Sequence, residues 1–168
     1  MSECQRRILI AGIGNIFQGD DAFGVEVVRK LSARHLPEGV CVKDFGIRGF
    51  DVAYALNDGW DLVILLDCIA RKNKPGTLSV LEPDRDDLEA SFSQTEIQPH
   101  GMDPVQALRL AKSMGELPAR ILVVGCEPAD LGGSDGAMGL SPLVEAAVDL
   151  AANTAERLAL EALSLTAG

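Results

Sequence analysis

Apolar residues along this chain alternate between two patterns. Ile8–Ile13 (ILIAGI), residues 61–67 (DLVILLD) and Arg120–Cys126 (RILVVGC) are short runs with little polar interruption. Strands covered on both faces have this composition, and such strands belong to parallel sheets. Residues 40–45 and 78–81 supply two further strands, the second after Lys74-Pro75-Gly76. Between the runs the spacing becomes helical. Val25, Val28 and Leu31 stand three apart, with Glu26, Arg29 and Lys30 on the other faces. This predicts a helix over 22–34, with Asp20 or Asp21 as its cap. A short helix over 50–56 ends at Asn57-Asp58-Gly59. Asp103-Pro104 opens the next helix, an acceptor cap followed by proline where its missing N–H is harmless. Its predicted buried stripe is Ala107, Leu108, Ala111 and Met114. Ser141-Pro142 repeats that signal, and the last helix runs to about 163, with Leu143, Ala147, Leu150, Thr154 and Leu158 spaced for one face. Residues 82–98, polar and acidic, form an irregular excursion, and the Gly-, Asp- and Ser-rich 127–139 a loop.

Strands alternating with helices make βαβ units with right-handed crossovers. The predicted fold is α/β: a three-layer αβα arrangement, with a mostly parallel twisted sheet of about five strands and helices on both faces. With 168 residues, no repeat and no linker, the whole of 1–168 is expected to be one domain. Ligands of such sheets bind beyond the carboxyl ends of the strands, near a switch in strand order. That places the site among 15–24, 44–49, 67–69 and 126–135, with the loop around His100 able to fold over the same edge.

Composition narrows the function. Lys+Arg is 15 and Asp+Glu 25, a net charge of −10 that repels phosphate backbones, so no nucleic-acid partner is expected. A cation or a basic protein suits the chain better. No apolar run approaches the ~20 residues of a membrane span, and the N-terminal run is too short for a signal peptide. A cytoplasmic, monomeric protein with no membrane partner is expected. Cys4, Cys41, Cys68 and Cys126 have no zinc-ribbon spacing. The last three sit in apolar runs and read as reduced, buried thiols, with Cys68 of interest beside Asp67.

Gly12-Ile13-Gly14-Asn15 matches only part of a dinucleotide fingerprint, since Phe17 stands where the third glycine belongs. Asp20 and Asp21 would repel the pyrophosphate at the helix start. One aspartate suffices for a cap, so the second is free for other chemistry. Asp67 ends the most apolar strand, either as a turn residue or as a carboxylate facing solvent or metal. Read so, its replacement by alanine should cost little stability. His35 lies at a helix end, where the dipole favours a cation; His100 lies in Pro99-His100-Gly101 with no apolar period around it. Two carboxylates and an imidazole on one edge would suit zinc, nickel or iron.

GIGNIFQGDDAFG, DFGIRG, LVILLDC, PHG and VVGCEP…GLSP together closely resemble the nickel–iron hydrogenase maturation protease family, over nearly the whole chain. The resemblance implies an aspartic-type endopeptidase. It would remove a C-terminal extension from a hydrogenase large-subunit precursor after nickel insertion. It also implies that Asp21, Asp67 and His100 are the metal contacts and catalytic groups. Asn15, Asp20, Asp44 and Gly46 belong to the supporting loops, with Asp44 expected to fix the loop beside the site. Asp21 stands where the family often has glutamate, and Ala22 where glycine is frequent, so the metal is expected slightly deeper. The nickel is expected to be presented by the substrate, which completes a specificity check by coordination. No serine or cysteine stands at a persuasive spacing from a histidine, so a carboxylate acting as base on water is the most economical chemistry. Two other readings stand beside it: a non-enzymatic nickel-binding or chaperone domain that uses the same triad, and a nucleotide-binding module using Gly12 and Gly14, against which the acidic pair and the missing third glycine count.

Overall fold

The computed structural model describes residues 6–89 and 103–165. Five strands form one sheet: β1 (Ile8–Ile13), β2 (Val40–Gly46), β3 (Leu62–Cys68), β4 (Leu78–Leu81) and β5 (Arg120–Cys126). Their order is β2-β1-β3-β5-β4. All neighbouring pairs are parallel except β4 with β5. From β1 the chain winds first outward to β2 and then back to β3 on the other side. The switch in strand order therefore lies between β1 and β3, where such sheets open a binding crevice.

Among the described residues, four helices complete the layers: α1 (Phe23–Ser32), α2 (Gly49–Leu56), α3 (Pro104–Met114) and α4 (Pro142–Ser164). Successive residues of a strand face opposite ways, and the two cores follow that alternation. Ile8, Ile10, Leu62, Ile64 and Leu66 pack with α1 and α4, whereas Leu9, Ala11, Val63 and Leu65 pack with α2 and α3. This is the three-layer arrangement the apolar runs predict. Among the described residues no helix is long and apolar enough to cross a membrane.

Three expectations need correction. On α4 the buried stripe is Val144, Ala147, Val148, Ala151, Ala155 and Ala159, while Leu143 and Leu150 are 50% and 60% exposed. The stripe is turned by one residue, about 100° around the axis. Small alanines let α4 lie close against α1 and the sheet; leucines there would hold it away. On α3, likewise, Met114 is exposed and Leu110 takes a buried place beside Ala107, Leu108 and Ala111. Cys41 is exposed, because β2 is an edge strand, whereas Cys126 is buried and Cys68 half-buried. The phase of α4 has a direct test by urea unfolding. Leu150→Gln should change stability by no more than roughly 0.5 kcal/mol. Ala151→Leu should cost roughly 1–3 kcal/mol through overpacking.

Candidate active site at the carboxyl edge

The site begins where β1 ends. Gly14 has φ +146°, and a Cβ there would stand 1.8 Å from the carbonyl oxygen of Asp21. Only glycine lets the following 3-10 turn, Gly19–Ala22, fold back on the strand. Folding back brings Asp21 Oδ2 to the backbone N–H of Asn15, which donates to it at 2.9 Å. Asn15 Oδ1 in turn accepts from Phe17 N at 2.9 Å, so Asn15 shapes the loop that carries Asp21.

Neither aspartate of the pair caps α1. Its N-cap is Ala22, with no side-chain hydrogen bond. Asp20 is wholly buried and ties distant loops together. Its Oδ2 accepts from Ala129 N, Asp130 N and Ser141 Oγ, each at 2.8 Å, and its Oδ1 from Ser141 N at 2.7 Å. Burial alone would raise its pKa, but the bonds from Asp130, Ser141 and Ala129 outweigh it and hold the carboxyl below its usual value. Of the two adjacent carboxylates, one is thus structural and the other, Asp21, is left at the edge.

Asp67 comes from the end of β3, the strand on the far side of the crevice. Alternation turns it toward α2 and α3. It is only 5% exposed rather than facing solvent, because β3 lies between β1 and β5 and its end stays covered. Cys68 N donates to its Oδ1 at 2.7 Å. Burial, and after it the charge of Asp21, pushes the carboxyl well above the ordinary carboxylate range. The Cys68 bond opposes this, and Asp103 adds to it. A carboxyl so placed either keeps a proton at neutral pH or draws in a cation. Beside it opens a cleft of about 930 Å³, whose lining includes Arg71, Asp103 and Arg109.

The neighbouring loop is hydrogen-bonded within itself and to the end of β1. Asp44 Oδ1 accepts from Gly46 N at 2.8 Å, and Gly46 O accepts from Gly14 N at 2.9 Å. Asp44 therefore shapes the turn that rests on the end of β1. Two further residues belong to the site. Asp103 caps α3, accepting from Gln106 N at 2.8 Å, and its charge reaches Asp67. In the sequence it carries only the helix-start signal. Glu127 is 7% exposed and accepts from Arg71 N and Lys72 N at 2.7 and 3.1 Å, fixing the segment after β3 that lines the cleft. Its one signal in the sequence is its position directly after β5.

His100 lies outside the described residues. Among the described residues no group of three His, Cys, Asp or Glu side chains is arranged to hold a metal ion. The Cys68 and Cys126 thiols are unsuited to nucleophilic attack. Burial, with Asp67 and Asp21 nearby, pushes the Cys68 thiol far above its ordinary value, and burial raises Cys126 to about 11. What the edge offers is paired carboxylates, one of them buried, beside a cleft.

Comparison with known proteins agrees with this architecture. The family model for hydrogenase maturation protease (HycI) matches residues 25–158, a span that contains Asp44, Asp67 and His100 and begins after Asp21. Hydrogenase 2 maturation protease of Escherichia coli is 33% identical over 144 residues, covering 85% of this chain and 84% of that protein. The solved structure of the hydrogenase maturating endopeptidase HybD from Escherichia coli superposes with a TM-score of 0.75, at 31% identity and 93% coverage of both chains. A hydrogenase 2 maturation peptidase from a Thaumarchaeota archaeon is 38% identical, with a TM-score of 0.66 over 95% of this chain and 99% of that one.

Proposed function

The chain belongs to the hydrogenase maturation protease family, and from that premise we propose how this peptidase chooses its substrate. It removes the C-terminal extension of a nickel–iron hydrogenase large-subunit precursor, and only once nickel is in place. Asp21, Asp67 and His100 recognise the nickel that the precursor presents. The observation that carries this reading is Asp67, a buried carboxyl opposed by the Asp21 charge. A cation arriving between the two carboxylates removes both the repulsion and the cost of burial, so the pair favours a metal-loaded partner over an empty one. Imidazole with carboxylates is a donor set that binds nickel well.

Hydrolysis then needs a base within reach of a water. A carboxylate oxygen of the pair not engaged on the metal takes a proton as the water oxygen adds to the scissile carbonyl. The carbon–nitrogen bond breaks, and the amine of the released extension leaves with a proton. Incubation of the protein with nickel-loaded and nickel-free precursor, followed by mass measurement, tests the reading. Loss of the extension from the loaded precursor alone is expected. Equal cleavage of both would sink recognition by nickel.

A further inference from the structure

Large apolar side chains stand exposed around this same edge. Phe17 is 61% and Met138 72% exposed; Ile47 is 58% and Phe50 49% exposed. Phe17 lies in the loop between β1 and α1 and Met138 in the loop between β5 and α4, and together they border a hollow of about 310 Å³. Ile47 lies just before α2 and Phe50 in its first turn, and α2 covers the opposite face of the sheet from α1 and α4. The first pair is not on a loose loop. Gln18 and Ala137 form a parallel β-bridge, Ala137 N donates to Phe17 O and Gly19 N to Ala137 O, both at 2.9 Å, and buried Asp20 ties the two loops from beneath. A backbone fixed this firmly presents Phe17 and Met138 outward in a set arrangement, which lowers the ordering cost of a partner. Exposed apolar groups bordering a reactive centre mark interaction surfaces, and aromatic residues dominate binding at such surfaces.

We propose that Phe17, Met138, Ile47 and Phe50 form a docking rim for the folded body of the large-subunit precursor, apart from the extension that enters the cleft. This rests on the endopeptidase reading above. The occupant follows from continuity: Phe17 stands on the loop that carries Asp21, so a protein whose metal reaches Asp21 must lie against Phe17. An anionic lipid surface is disfavoured by the net charge of −10, and so is a second copy carrying the same charge.

The test uses the F17S/M138S double variant, with unchanged thermal melting as the control for folding. Its KM for nickel-loaded precursor should rise at least ~10-fold while kcat stays within about twofold, the pattern of lost docking. Its Kd for nickel-free precursor, measured by biolayer interferometry, should weaken by a similar factor, since that binding excludes any contribution from the metal. Unchanged KM and Kd overturn the rim while leaving the peptidase reading intact. A wild-type protein that binds precursor tightly without cutting it overturns the peptidase reading, and the rim then stands or falls on whether the double variant loses that binding. If neither binding nor cleavage is seen with wild type, both fall. A wild-type dimer that the double substitution converts to monomer, read by sedimentation, also overturns the proposal, because the rim then covers a second copy.

Discussion

Asp67→Asn should stop precursor cleavage and raise the melting temperature of the same protein. Asparagine keeps an oxygen to accept from Cys68 N and keeps the volume of the side chain. It removes a charge that is buried and opposed by Asp21 and Asp103. Cleavage should fall by roughly 10²–10⁴-fold if Asp67 acts on the water or its metal. The expected gain is of order 1 kcal/mol, or about 2–4 °C in Tm for a chain of this size. Its pH dependence has a definite sign. The folded pKa of Asp67 lies above the ordinary value of 3.8, so below that value the carboxyl is protonated in both states and costs nothing. As pH rises past it, the unfolded chain releases the proton first, and the wild type loses stability until the folded pKa is passed. The variant has no such loss. The two melting curves should therefore agree near the ordinary carboxylate pKa and separate toward neutral pH, as read by calorimetry. A variant that melts below wild type at neutral pH would refute the account of Asp67 as a costly charge kept for function.

Asp20→Ala should do the opposite, although the two residues look alike in the sequence. It leaves the N–H groups of Ala129, Asp130 and Ser141 and the hydroxyl of Ser141 without their acceptor in a buried place. Each unsatisfied group costs about 1–3 kcal/mol. The loss should be at least about 3 kcal/mol, a fall of roughly 6–12 °C in Tm. Asparagine does not rescue it, since its amide would point N–H groups at donors. Because the folded pKa is held below 3.8, the stabilisation from this carboxylate is present above that value and disappears as pH falls through the folded pKa. Wild type should therefore lose its advantage over Asp20→Ala in acid. Melting of both proteins across that range checks the effect.

The sheet was legible because β1, β3 and β5 are buried on both faces, and nothing but an apolar run fits such a position. The carboxyl edge followed from topology alone. Finer assignments failed where one residue type serves two environments. In α4 the predicted face of Leu143, Ala147, Leu150, Thr154 and Leu158 lies one residue from the buried one, because close helix packing buries Ala151, Ala155 and Ala159 and leaves Leu143 and Leu150 outside. Cys41 shares the apolar setting of Cys126, and only its place on an edge strand separates them. Asp20 and Asp21 are adjacent carboxylates whose roles divide by which way the 3-10 turn rotates each one. That direction depends on Ser141, more than a hundred positions downstream. The burial of Asp67 depends likewise on the strands on either side of it, which its own neighbours in the chain do not reveal.

The clasp between the loop after β1 and the loop before α4 has a consequence for the order of folding. The contact between Asp20 and Ser141 spans 121 positions, so the closing of this loop is a late, long-range event in the self-assembly of the chain. During synthesis Asp20 has no acceptor role to fill until the segment leading into the last helix has left the ribosome. Until then the turn bearing Asp21 has nothing beneath it. The turn that bears Asp21 therefore gains its support only from a segment more than a hundred positions further along the chain.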